Sequence, residues 1–194
     1  WEKLGLAASY RLIEIPRGEL AATVPELLRT LDGFNITVPY KTDVTPLLDE
    51  ITPFAQEVGA VNTVLTGEKS RGYNTDDPGF EQMLRHFGMN PDGRPVFILG
   101  SGGAMHACRN AVKRMGAHET RVVSRNPKHE DEISYDDFYL RFPDIGGLIV
   151  NTTPAGMYPR IDGCPIDSAH LLPIVSHADG VADVIFNPAE TVLT

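Results

Sequence analysis

Apolar positions along the chain switch repeatedly between a spacing of two and a spacing of three or four. Tyr10 to Ile15 reads as a strand, and after the breaker Pro16 the residues Leu20, Val24, Leu27, Leu28 and Leu31 recur at helical spacing. Phe34 to Val38 reads as a second strand. A strand, a helix and a strand in this order predict a β-α-β crossover and with it a parallel pair. Val44, Leu47, Leu48 and Ile51 predict another helix, and Ala60 to Leu65 followed by "TGEKSRGYN" predicts two strands around a glycine-containing turn. Thr75 or Asp76 is expected to cap a helix through Phe80, Met83, Leu84 and Phe87, closed by Gly88 and Pro91-Asp92-Gly93. Beyond it the alternation resumes: strand Val96 to Leu99, a glycine turn, a helix to about Met115, strand Arg121 to Ser124, a polar stretch, strand Leu148 to Val150 and strand Val181 to Phe186. The fold class expected is α/β in two domains, residues 1–76 and 92–194, with 77–91 as the helix and linker between them. The second domain reads as a doubly wound parallel sheet.

Composition changes this picture little; charge and cysteine use narrow it. The 194 residues carry a formal net charge of -9, which disfavours nucleic acid or an anionic membrane as a general partner and leaves a small molecule. Cys108 and Cys164 stand far apart without CxxC spacing, so neither a disulfide framework nor a zinc site is indicated. The six histidines show no metal-ligand spacing either, and Cys108 reads as a small buried hydrophobe. No apolar run approaches the roughly 18 residues of a membrane span, no signal pattern opens the chain, and the expected compartment is the cytoplasm. The chain opens at Trp1 and stops at Thr194 after a strand-like run, and so reads as a trimmed piece of something longer.

The glycine turn carries the first chemistry. Gly100, Ser101, Gly102, Gly103 and Ala104 fall between a buried-type strand and an amphipathic helix. A dinucleotide pyrophosphate needs bare backbone amides at a helix N-terminus, where side chains would block its approach. A glycine turn alone is commonly mere turn chemistry; the strand before it and the helix after it are what point to a cofactor and to a Rossmann-like domain. The next strand ends "RVVSRNPKH". An NAD site usually places an acid there for the ribose 2′-hydroxyl. Here Ser124, Arg125, Asn126 and Lys128 occupy the tip, and Arg125 and Lys128 suit a 2′-phosphate, so NADP is expected.

Lys41 carries the second. A lysine beyond a strand end is usually a surface charge. Two polar points raise it above that: Asn62 among apolar neighbours in "GAVNTV", and Asn74, Thr75 and Asp76 in "GYNTDDPGF". Open parallel sheets collect ligands beyond their carboxyl strand ends. If both domains face one cleft there, a nicotinamide, an ammonium and a carboxylate meet, and these are the groups needed to reduce a carbonyl. Hydride addition leaves an alkoxide that a lysine held by an aspartate can protonate.

The segments "FNITVPYK", "GAVNTV", "GYNTDDPGF", "LGSGGA" and "NTTPAGM", in this order, resemble the shikimate dehydrogenase family over nearly the whole chain. The resemblance implies NADP-dependent, reversible reduction of 3-dehydroshikimate to shikimate. It makes Lys41 and Asp76 the catalytic pair and assigns Thr37 and Asn62 to substrate hydroxyls. Gly100 to Ala104 would cradle the pyrophosphate and Ser124 to Lys128 surround the 2′-phosphate, with Thr153 and Val184 toward the nicotinamide. Phe186 stands where many relatives carry a substrate-side tyrosine, Ser124 replaces a common asparagine, and His129 lies where a second arginine often sits. The family pattern opens with a strand and a Ser-x-Ser segment that binds the substrate carboxylate. It closes with helices, one of which carries a substrate-binding glutamine. This chain begins after the first and ends before the second. Two other readings stay open: a quinate dehydrogenase that accepts NAD, and a paralogue that senses shikimate-like ligands without turnover. The expected oligomeric state is a monomer or homodimer.

Overall fold

A computed structural model describes residues 2–37 and 39–194. It divides into two compact units, one up to Asn74 and one from Thr75 onward. The first unit holds a four-stranded sheet of β1 (Gly33–Asn35), β2 (Glu50–Ile51), β3 (Thr63–Leu65) and β4 (Arg71–Tyr73), in the order β1-β3-β4-β2. β3 runs antiparallel to both β1 and β4, and β2 runs parallel to β4. Helix α1 (Leu20–Thr30) has the predicted face: Leu20, Val24 and Leu27, spaced by four and three, are buried with Val44, Ala55, Val61 and Val64. Each such side chain contributes about 1.5–3 kcal/mol. Helix α2 (Pro53–Val58) starts at Thr52, whose side chain accepts from the Ala55 amide, and stops at Gly59, whose φ of 72° is left-handed.

Two sequence expectations fail in this unit. Tyr10–Ile15 joins no ladder among the described residues, and Leu12 is 92% exposed, so the parallel pair of the expected crossover is not formed. Residues 44–51 form no α-helix either. A 3-10 turn at Thr45–Leu47 contains Pro46, which lacks an amide, and the chain then pairs with β4. Asp49 and Ser70 draw it there: the Asp49 amide donates to Ser70 Oγ at 2.9 Å, and the Ser70 amide donates to Asp49 Oδ2 at 2.8 Å. Val38, the expected end of the second strand, lies outside the described residues.

The second unit matches its expected class. Strands β5 (Pro95–Leu99), β6 (Glu119–Val123), β7 (Glu132–Ile133), β8 (Gly147–Asn151) and β9 (Ala178–Asp183) form a sheet in the order β7-β6-β5-β8-β9, parallel throughout. Helices α3 (Asp76–His86) and α4 (Gly103–Arg114) supply Phe80, Leu84, Met105, Cys108 and Val112, which pack on one face with Val96 and Ile98. Helices α5 (Tyr135–Ile145) and α6 (Ser168–His177) supply Phe138, Phe142 and Ile174, which pack on the other with Phe97 and Leu99. Alternate residues of β5 thus enter two cores, as a doubly wound sheet requires. The polar stretch after Ser124 hides α5, begun where Ser134 Oγ accepts from the Asp137 amide at 3.0 Å. The last strand runs Ala178–Asp183, three residues earlier than expected, because the Asp183 carboxylate turns back onto Asn151 at the ladder's end. Among the described residues no helix is long and apolar enough to cross a membrane.

The first turn of α3 is tied to α4 by an ion pair. Asp77 has 0% side-chain exposure and is held by both terminal nitrogens of Arg114, one of which also donates to Glu81 Oε2 at 2.7 Å. Removing one partner of a buried pair costs about 3–5 kcal/mol. Arg114 is 42% exposed, so solvent screens part of that loss. Arg114→Met is expected to destabilise this unit by about 2 kcal/mol, a fall of roughly 5–10 °C in Tm by calorimetry.

Candidate active site

In the first unit the chain leaves β1, passes Pro39 and turns at Lys41. The Val61 amide donates to the Lys41 carbonyl at 2.8 Å, which fixes the half-buried Lys41 beside Asn62. Asn62 is buried; its amide donates to Tyr73 O at 3.0 Å, and its carbonyl accepts from Ile36 at 2.9 Å. Its side-chain Oδ1 accepts from Thr63 Oγ1 at 3.0 Å. Thr37, exposed, follows Ile36 and accepts from the Tyr40 amide at 3.0 Å. Asn74 is buried just past β4, with Nδ2 donating to Ala60 O at 3.0 Å. Thr37, Lys41, Asn62 and Asn74 therefore gather at one end of the small sheet, beyond the carboxyl ends of β1 and β4.

In the second unit Asp76 opens α3 and, with Asp77, puts two acids in its first turn, where the helix dipole favours them. Both lie near Cys108 on α4. Burial pushes the Cys108 thiol up to about 12, and the charges of Asp76 and Asp77 add to the rise. That thiol stays protonated and is no nucleophile.

The glycine turn divides into two functions. Gly100 has a φ of 98°, and a Cβ there would meet Thr153 Cγ2 at 2.8 Å, so this glycine is demanded by the protein's own packing. A Cβ at Gly102 or Gly103 would meet nothing within 4 Å. Ser101, Gly102, Gly103 and Ala104 are all exposed at the N-terminus of α4. Bare amides with unfilled space before them are what a pyrophosphate requires. Ser101 Oγ lies 3.4 Å from Ser124 Oγ, joining the turn to the tip of β6. Ser124 is buried and its Oγ accepts from the Asn126 amide at 3.3 Å, which turns the chain so that Arg125, Asn126 and Lys128 stand exposed beyond the strand. The Lys128 amide donates to Glu132 Oε2 at 2.7 Å.

Thr153 follows β8 and Val184 follows β9. One buried group governs both. Asn151 has 0% exposure; its Oδ1 accepts from the Thr153 amide at 2.9 Å and from Thr153 Oγ1 at 2.8 Å, and its carbonyl accepts from the Val184 amide at 3.2 Å. Its Nδ2 donates to both oxygens of Asp183 at 3.1 Å, and Asp183 also accepts from Thr191 Oγ1 at 2.8 Å and the Ile185 amide at 2.9 Å. Thr152 Oγ1 donates to Leu99 O at 2.8 Å, fastening this edge to the base of the glycine turn. Sequence reasoning missed Asn151, Thr152 and Asp183. The signal available was a polar residue ending each of two strands. Phe186 is 90% exposed.

A parallel sheet with both faces covered, opening through a glycine turn onto a helix N-terminus, defines the Rossmann-like, dinucleotide-binding class of α/β domain. Residues 1–64 match the family model described as the shikimate dehydrogenase substrate binding domain. The chain is 33% identical over 198 residues to a shikimate dehydrogenase (NADP(+)) of Clostridium beijerinckii, an alignment covering 98% of this chain and 72% of that relative. Among solved structures it is similar to a chorismate mutase/shikimate 5-dehydrogenase fusion protein from Clostridium acetobutylicum, with a TM-score of 0.88 and 35% identity over 99% of this chain and 71% of the other. It is also similar to the shikimate 5-dehydrogenase of Thermus thermophilus in complex with NADP(H) and shikimate, with a TM-score of 0.81 and 30% identity over 96% of this chain and 71% of the other. The chain belongs to the shikimate dehydrogenase family.

Proposed function

We propose that this chain catalyses the NADP-dependent, reversible reduction of 3-dehydroshikimate to shikimate, with Lys41 and Asp76 as the proton-handling pair. The single observation that carries the reading is the glycine turn, whose second and third glycines face open space at a helix N-terminus while its first is fixed by packing. Bound there, the nucleotide supplies the hydride for the ketone carbon. The chain's own groups do the rest. Thr37 and Asn62 orient substrate hydroxyls. The Lys41 ammonium would stabilise the developing alkoxide and donate its proton to that oxygen, and the Asp76 carboxylate would relay a proton from solvent back to the lysine. The absence of an acid at the tip of β6, with Arg125 and Lys128 exposed there, favours the 2′-phosphate form of the cofactor. Thr153 and Val184, both held by Asn151, would border the nicotinamide; Phe186 would lie on the substrate side.

The test is oxidation of shikimate and of quinate, followed as nucleotide reduction at 340 nm with NADP and with NAD. Turnover of shikimate with NADP is expected to exceed the other three combinations. In the double variant Arg125→Gln, Lys128→Gln the preference for NADP over NAD is expected to fall by about 10–100-fold, as two charge-assisted contacts of about 1–2 kcal/mol each are lost. No turnover of either substrate, with both ligands bound, would establish the sensing alternative; preference for quinate would overturn the assigned substrate.

A further inference from the structure

The tips of β8 and β9 hold a carboxylate that the proposed mechanism does not use. In the order β7-β6-β5-β8-β9 the chain reverses direction across the sheet at β5, and a dinucleotide lies across such a reversal, over the carboxyl strand ends. Its adenosine half belongs to the β6 side, where Arg125 and Lys128 stand exposed, so its nicotinamide half belongs over β8 and β9. Asp183 ends β9 there. Each of its oxygens accepts twice: Oδ1 from Asn151 Nδ2 at 3.1 Å and the Ile185 amide at 2.9 Å, Oδ2 from Asn151 Nδ2 at 3.1 Å and Thr191 Oγ1 at 2.8 Å. A carboxylate has about four acceptor positions, and these donors fill them. Whatever Asp183 does for a ligand therefore passes through its partners.

The partner that matters is Asn151. Its side-chain amide has one donating and one accepting end, and at 0% exposure solvent completes neither. A carboxylate only accepts, so it draws the Nδ2 end. Oδ1 is thereby turned to Thr153, whose amide donates to it at 2.9 Å and whose hydroxyl donates to it at 2.8 Å. The reverse orientation would set Nδ2 against the Thr153 amide and Oδ1 against the carboxylate, two repulsive contacts in a buried place. With its proton committed to Asn151, the Thr153 hydroxyl can meet a ligand only as an acceptor. The Ala155 amide takes one of its two lone pairs at 3.2 Å, and among the described residues no donor takes the second. The carboxamide of a nicotinamide has an NH2 that needs such an acceptor. Thr153 also stands beside the pyrophosphate turn, since a Cβ on Gly100 would meet its methyl carbon at 2.8 Å.

We infer that Asp183 is a positioning residue for the nicotinamide half of the cofactor: it holds the Asn151 amide in one orientation and so presents Thr153 to the carboxamide as an acceptor. The inference rests on the dinucleotide reading of the glycine turn and adds to it the group that orients the reactive ring.

Calorimetric titration with NADPH and with 2′-phospho-ADP-ribose, the same dinucleotide without its nicotinamide, tests it. Asp183→Ala is expected to weaken NADPH binding by about tenfold and to leave binding of the fragment within about twofold of the parent. A role in the fold alone would weaken both ligands together. Thr153→Val keeps the amide bond to Asn151 and the methyl beside Gly100, and is expected to lose about the same tenfold for NADPH. Because both residues act through one contact, the double variant is expected to bind NADPH no worse than either single variant. Thr191→Val removes one donor from Asp183 and leaves β9 intact. It is expected to weaken NADPH binding alone, by about threefold, and so tests the proposal even where Asp183→Ala does not fold. Equal losses for both ligands, unchanged NADPH binding in Asp183→Ala or Thr191→Val, or losses that multiply to about 100-fold in the double variant would overturn the proposal. So would a parent that binds the fragment as tightly as NADPH. A parent that binds neither ligand overturns the cofactor reading itself, and this proposal with it.

Discussion

Lys41→Ala is expected to lower kcat by about 10²-fold or more with little change in NADP affinity, the range for a lost general acid-base group. The truncation removes the ammonium and spares the scaffold, because the contact that fixes this position is made by the Lys41 carbonyl to the Val61 amide, which alanine keeps. Asn62 keeps its backbone bonds to Tyr73 and Ile36, so the substrate-side neighbours should stay in place. Lys41→Arg separates charge from proton transfer. A guanidinium supplies the positive charge but does not give up its proton in water, so it is expected to rescue turnover by less than about tenfold. Steady-state kinetics with shikimate, alongside NADP binding by fluorescence, read both effects. Turnover of Lys41→Ala equal to the parent would remove Lys41 from the mechanism and leave Asp76 without a partner to recharge.

How far the sequence foretold this molecule depends on how local each determinant is. Strand β5, helix α4 and strand β6 are legible because Val96, Phe97, Ile98 and Leu99 form a buried run, and because Met105, Cys108 and Val112 repeat at helical spacing behind a glycine turn. Tyr10–Ile15 has the same kind of composition and forms no strand, since pairing is decided by a neighbouring edge that composition does not encode. Residues 44–51 carry a helical period. They are redirected by the exchange between Asp49 and Ser70, a contact 21 residues distant in sequence. In the site, Asn62 is legible as a polar residue among apolar neighbours, and Lys41 as a lysine beyond a strand end. The Asn151–Asp183 bond was not, because it joins residues 32 apart whose separate readings are plain strand ends.

The glycine turn gives substitutions two residues apart opposite signatures, and the contrast tells a cofactor cradle from a simple bend. At Gly100 the backbone is left-handed, with φ of 98°, and a Cβ meets Thr153 Cγ2 at 2.8 Å. Gly100→Ala is expected to cost about 1–2 kcal/mol from backbone conformation and further energy from displacing Thr153, seen as a lower Tm. Gly102 caps α4 in an extended conformation, φ −83° and ψ −177°, which any residue adopts, and nothing of the protein stands within 4 Å of its missing side chain. Aspartate is a favoured residue at such a cap, so Gly102→Asp is expected to leave Tm unchanged or raise it slightly. The same carboxylate would occupy the space before the bare amides and repel a pyrophosphate. NADP affinity is expected to fall by about 100-fold, close to 2.8 kcal/mol. Calorimetric melts and NADP titration of the two variants measure both axes. A Gly102→Asp protein that binds NADP like the parent would show that the nucleotide does not rest on this turn, whatever the sheet beneath it resembles.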